Sequence, residues 1–153
     1  MILPCNNPEL ADYILSCLAR ICAEHDIPYF ISCGTCLGFY RDDDYIPDDN
    51  DLDASIIFSH EHFNILPALL YPYGIVADSH GKFEGRHFWK DDMLLDITWV
   101  KPEGFYKSHD EIERNGIIYP APYPIEEYLV WKYGSTWQTP MKEGYALQHE
   151  PQR

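Results

Sequence analysis

The sequence predicts an α/β (α+β) fold, a small mixed sheet flanked by helices, forming one domain over residues 1–153. Three observations lead there. Apolar residues recur at helical spacing in some segments and in short strand-like runs in others. The two kinds alternate along the chain, with no internal repeat or linker between them. Hydrophobic residues make up 46% and aromatic residues 15%, which suits a packed core and excludes a disordered chain.

The first element is a helix over Pro8 to Glu24. Leu10, Ile14, Cys17, Leu18, Ile21 and Cys22 share one face, Asn7 can cap the start, and Pro8 fits the first turn. His25-Asp26 ends it before Pro28. PYFIS is short and apolar, as a buried strand should be, and the small-residue break CGTC follows, with LGFYR opening a second helix. RDDDYIPDDND is polar and reads as a loop. Leu52 to Phe58 is the second strand, and His60 to Leu70 can form a helix after it. From Gly74 to Val100 short β-like runs alternate with Gly and charged turns, ending in the strand MLLDITWV. Prolines then break the chain up to Pro124, before a short helix over Ile125 to Tyr133 and a Gly-Ser turn.

No apolar run reaches the roughly 18 residues that a membrane span requires. MILPCNNPELADY lacks a basic start, and Pro4 and Asn6 interrupt it, so it does not read as a secretion signal. The five cysteines are odd in number, and Cys17 and Cys22 sit on the apolar face of the first helix. A reducing, cytoplasmic setting is expected. Eleven basic residues face twenty-five acidic ones, a net charge of −14, which disfavours a nucleic-acid partner. A small anionic substrate stays compatible, because a metal and one or two basic side chains can hold it.

The acids carry the chemistry. Asp51 and Asp53 bracket Leu52 at the start of a strand, so their carboxylates point the same way, roughly 6.6 Å apart along the chain at about 3.3 Å per residue. Leu52, Ala54, Ile56 and Phe58 point to the other face. Two acids on one face repel unless a cation sits between them, and Mg²⁺ takes hard oxygen ligands. Asp96, inside the apolar MLLDITWV, needs a metal or a base as its partner, and a neighbouring strand would place it beside the first two. Asp42, Asp43 and Asp44 read as a solvated loop. A calcium loop opens with the spacing of Asp49, Asp51 and Asp53, but it needs Gly where Ala54 stands and Glu where His60 stands.

Gly34-Thr35 opens a helix, where free N–H groups and the helix dipole favour a phosphate and the Thr35 hydroxyl can add a hydrogen bond. The same turn contains Cys33-Gly-Thr-Cys36, the spacing of a thioredoxin-like thiol-disulfide site, which would leave the acids unexplained. Zinc lacks a second CxxC or a spaced His pair. Arg86, Lys90 and Lys107 are available as further cations at the mouth of the site.

Read together, GTCLGFYRDDDYIPDDNDLDA resembles the signature of the LicD family, matching its pattern at Gly34, Thr35, Leu37, Gly38, Arg41, Ile46, Pro47, Asp49, Asp51 and Asp53. LLDITWV is similar to the strand of the family's third acid, at Asp96, and PIEEYLVWKYGSTWQTP to its closing segment. Asp48 and Asn50 depart from the pattern, as do Asp42, Asp43 and Asp44. The resemblance implies a polymerase-beta-like nucleotidyltransferase fold and Mg²⁺, or Mn²⁺, as cofactor. It implies transfer of a phospho-alcohol, such as phosphocholine or ribitol phosphate, from a CDP-activated donor to a glycan or small hydroxyl acceptor. A nucleotidyltransferase using a triphosphate is the alternative. By the same resemblance Asp51, Asp53 and Asp96 are the catalytic, metal-binding acids, while Gly34, Thr35 and Arg41 contact the donor phosphates.

Overall fold

A computed structural model describes residues 1–78 and 85–141. The first helix, α1, runs over Pro8–Glu24, with Leu10 N–H donating to the Asn7 side chain at 3.2 Å, the cap that the sequence predicts. Strand β1 (Tyr29–Ile31) leads directly into helix α2 (Cys33–Asp42). The helix thus includes the CGTC segment and begins four residues before LGFYR. Glycine is tolerated in a first turn, where few intrahelical bonds depend on it.

Strand β2 (Asp51–Ile57), helix α3 (His60–Leu70), the short β3 (Val76–Ala77), β4 (Gly85–Lys90) and β5 (Met93–Val100) follow. Part of the Gly74 to Val100 stretch, residues 79–84, lies outside the described residues, as do residues 142–153. The five strands make one mixed sheet in the order β1-β2-β5-β4-β3, in which only β2 and β5 are parallel.

One face of this sheet is apolar. Leu52 pairs with Leu95, Ala54 with Ile97, and Ile56 with Trp99, and all six are buried. Helix α3 covers this face, its Phe63 ring 5.4 Å from Trp99, and α1 lies beside α3. Period-two alternation then forces Asp51, Asp53 and Ser55 of β2, and Asp96 and Thr98 of β5, onto the opposite face. The sheet therefore separates the core from the acids.

Prolines did not break the chain everywhere they occur after Val100. Strands β6 (His109–Arg114) and β7 (Ile117–Pro122) form a separate antiparallel hairpin, and helix α4 (Ile125–Tyr133) follows. Its turn is Asn115-Gly116, both in the left-handed region at φ 52° and 79°, the conformation a two-residue hairpin demands. Pro120 and Pro122 sit in a two-stranded ribbon, where a missing N–H can face away from the partner strand.

This hairpin fastens the acidic loop. Arg114 Nε donates to Asp12 Oδ1 at 2.9 Å, the guanidinium covers the rings of Phe39 and Tyr45 at 4.9 and 4.7 Å, and one N–H reaches the Asp43 carbonyl at 3.3 Å. Asn115 and Tyr45 also bond to Asp12. Asp43 and Asp44 are exposed in a loop, whereas Asp42 is the last residue of α2 and pairs with Arg41; the backbone here is tied by Asp44 N–H donating to the Gly38 carbonyl and by Arg114. Arg114→Ala is expected to cost about 2 kcal/mol, less than a fully buried pair because the Asp12 carboxylate stays partly wet. Chemical denaturation of both proteins measures it, and Arg114→Lys should recover only part, lacking the planar group that stacks on two rings.

Candidate active site

The open face of the sheet gathers four carboxylates. Asp51 and Asp53 stand on β2, and Asp49 reaches them from the preceding turn, where its N–H donates to the Ile46 carbonyl at 3.1 Å. One oxygen from each of Asp49, Asp51 and Asp53 lies within 4.8 Å of the other two. Asp96 stands on β5 directly opposite Asp53 in the parallel ladder. The neighbouring-strand position expected for Asp96 is the one it occupies. Its setting is more open than its apolar sequence neighbours imply, with the side chain 30% exposed, because Leu95 and Ile97 turn to the other face. Across β4, His87 pairs with Asp96 and its Nε2 is 3.7 Å from Asp96 Oδ1.

These acids are held at close quarters away from bulk water. Burial pushes the Asp49 carboxyl up to about 8, and the charge of Asp51 adds to the effect. Asp51 is raised to about 6, chiefly by burial and further by Asp96, against the opposing pull of Asp49's hydrogen bond and His87. Asp53 is raised well above the ordinary range by burial and then by Cys33 and the other acids. Asp96 rises through burial, with His87 pulling it back.

A folded carboxyl pKa above its unfolded value means that the fold holds its proton more tightly than the unfolded chain does. That stability is complete below about pH 4 and is lost as pH rises through 6 and 8. The metal-free protein should therefore melt at a lower temperature at pH 8 than at pH 5. Thermal melts in a chelator at both pH values check this, and Asp49→Asn should flatten the difference.

The strand–helix junction fixes the cluster in place. Asp53 N–H donates to the Thr35 hydroxyl at 2.9 Å, and Ser32 N–H donates to the Asp53 carbonyl at 3.1 Å. Gly34 and Thr35 are buried in the first turn of α2, so Thr35 holds the strand that carries the acid. Arg41 is directed elsewhere. Its side chain is only 6% exposed, ion-paired with Asp42 at 2.8 Å and bonded to the Trp137 carbonyl at 3.2 Å, so it joins α2 to the segment after α4. Its burial and these two links leave little of the guanidinium open to a phosphate.

Cys33 and Cys36 have the opposite of an activating environment. Burial raises both thiols, and Cys36 is completely enclosed. A nucleophilic thiol needs its pKa lowered. The thiol-disulfide reading therefore finds no support here, and the turn's small residues serve to bring α2 against β2.

The other cations named from the sequence also lie apart from the acids. Arg86 is paired with Ile97 on the core side, its guanidinium 5.6 Å from the Phe63 ring. Lys90 sits over Tyr13 at 5.4 Å, and Lys107 is exposed beyond β5. Asp49, named from the sequence only for its spacing and its match to the family pattern, joins the acids here, and His87 is a neighbour of the site that the sequence did not indicate. Asp49 carried a signal, its two-residue spacing from Asp51, while His87 enters only through the register of β4 on β5.

Comparison with known proteins agrees with this architecture. The profile of the LicD/FKTN/FKRP nucleotidyltransferase domain matches residues 26–92, from before β1 to the β4–β5 turn, with Asp96 just outside. The chain is 28% identical over 165 aligned positions to the ribitol-5-phosphate transferase FKTN of Macaca fascicularis, and 27% identical to that of Homo sapiens. Each alignment covers 86% of this chain and 34% of the relative, so the chain spans about a third of the length of these proteins. Among solved structures, the lincomycin-bound lincosamide antibiotic adenylyltransferase LnuA superposes with a TM-score of 0.61 at 12% identity, covering 85% of this chain and 89% of that one. That likeness identifies the fold as that of the nucleotidyltransferases. No helix among the described residues is long and apolar enough to cross a membrane. The motif from Gly34 to Asp53 lies inside the matched segment, and the chain is similar to the LicD family over that segment and to the FKTN proteins over most of its own length.

Proposed function

We propose that this chain is a transferase domain that moves a phosphorylated alcohol from a nucleotide-activated donor, of the CDP-alcohol kind, to a hydroxyl of a glycan or small acceptor. The observation that carries the reading is the gathering of Asp49, Asp51, Asp53 and Asp96 on the open face of β2 and β5, in a chain similar to this family. Its relatives named as ribitol-5-phosphate transferases support the phospho-alcohol.

The donor set fits Mg²⁺ or Mn²⁺. It offers carboxylate oxygens alone, three of them close together and shielded from water, where a cation would offset their charge. Asp51 and Asp53 would hold the ion, with Asp49 and Asp96 beside them. A bound divalent ion supplies charge neutralisation for the donor's diphosphate oxygens. The chain's own residues do the rest. Thr35 keeps Asp53 in register, and Asp96, opposite Asp53 on β5, would draw an acceptor hydroxyl and take its proton. The net charge of −14 favours a neutral acceptor over a polyanion.

A nucleotide panel tests the assignment. CDP-choline or CDP-ribitol should raise the melting temperature only when Mg²⁺ is present, and turnover should release CMP. Stabilisation by ATP alone, with pyrophosphate as product, would replace the phospho-alcohol reading with nucleotidyl transfer.

A further inference from the structure

Lys132 follows Tyr128 by four residues on α4, so the two side chains share one face of the helix. The Tyr128 phenol accepts the Cys33 N–H at 3.0 Å, which anchors that face over the first residue of α2. Gly34 and Thr35 come next, and Thr35 holds Asp53. Lys132 therefore lies one turn along the face of α4 that Tyr128 turns toward the start of α2. Its charge is felt there, since it opposes the effect of burial on the Cys33 thiol.

The side chain is half-buried and has a firm base. Its Nζ lies 6.0 Å from the Trp131 ring centre, and that ring packs against Phe105 at 5.5 Å and Tyr128 at 6.0 Å. Arg41, Lys90 and Arg114 each form an ion pair with a carboxylate. Lys132 has no such ion pair among the described residues. A cation without a carboxylate partner on the side of the α2 start, in a chain with more than twice as many acids as bases, is suited to an anion that arrives with the substrate.

We infer that Lys132 is a donor-binding residue, whose ammonium takes a phosphate oxygen of the nucleoside diphosphate on the α2 side of the acids. The inference rests on the proposed transferase reading. It assigns to Lys132 the phosphate contact that Arg41, held by Asp42 and Trp137, is not placed to make.

Calorimetric titration with CDP at fixed Mg²⁺ tests it, using the wild type, Lys132→Gln and Lys132→Arg, at two ionic strengths. Loss of one charged contact should weaken CDP binding about tenfold or more in Lys132→Gln. Lys132→Arg should stay within about threefold of the wild type, and the salt dependence should flatten only in the Gln variant. Equal CDP affinity in wild type and Lys132→Gln would overturn the inference while leaving the transferase reading intact. Equal losses in the Gln and Arg variants with unchanged salt dependence would assign Lys132 a structural part and overturn it as well. A wild type that binds no Mg²⁺-nucleotide removes both.

Discussion

Asp51→Asn or Asp53→Asn lowers turnover by about a thousandfold or more and at the same time raises the melting temperature of the metal-free protein. The first effect follows from the proposed ion site. Several kcal/mol of transition-state charge stabilisation pass through the ion, and about 4 kcal/mol corresponds to a factor of about a thousand. The second follows from the carboxylates themselves, whose pKa values are raised chiefly by burial and further by their mutual repulsion. Asparagine keeps the shape and removes a charge. Opposite signs on activity and stability distinguish this from simple unfolding, so steady-state rates and thermal melts should be measured on the same preparations. Activity within tenfold of the wild type in both variants would remove the ion from the mechanism.

Gly38→Ala should be among the most destabilising single-methyl additions in the chain. A Cβ at Gly38 would sit 2.5 Å from the Asp44 carbonyl oxygen and 3.1 Å from Ile46 Cγ1. The nearest clash is with backbone, which cannot rotate aside as a side-chain tip can. Overpacking of this kind costs up to about 3 kcal/mol, which lowers the melting temperature by about 9 °C in a protein of this size. The segment pushed away also leads, within five residues, to Asp49. Loss of stability should therefore come with weaker Mg²⁺ binding, and a melt together with a metal titration checks both.

The parts of the fold that were legible in the sequence are those with a strong local period. α1 shows six apolar residues at helical spacing, and β2 and β5 present alternating faces that put Asp51, Asp53 and Asp96 on one side. The Gly34 to Asp53 motif supplied the family resemblance and, through it, the expected roles. The hairpin of β6 and β7 was hidden by prolines that normally interrupt strands, although Asn115-Gly116 is a strong hairpin turn. Residue positions set by distant parts of the chain had no local signature. His87 reaches Asp96 through a β4 register, and α4 is joined to the start of α2 through Tyr128, which accepts the Cys33 N–H. Arg41 is the converse, a motif position whose side chain is taken up by Asp42 and the Trp137 carbonyl once the chain has folded.

The position at which a divalent ion binds is the most direct test of the acidic site. Mn²⁺ broadens nearby amide resonances steeply with distance, so a substoichiometric titration followed by NMR locates it. Broadening should centre on Asp49 to Asp53 and on Asp96, extend to Thr35, and vanish from those residues in Asp53→Asn. Broadening centred on Asp42 to Asp44 instead, and unchanged in Asp53→Asn, would contradict the account.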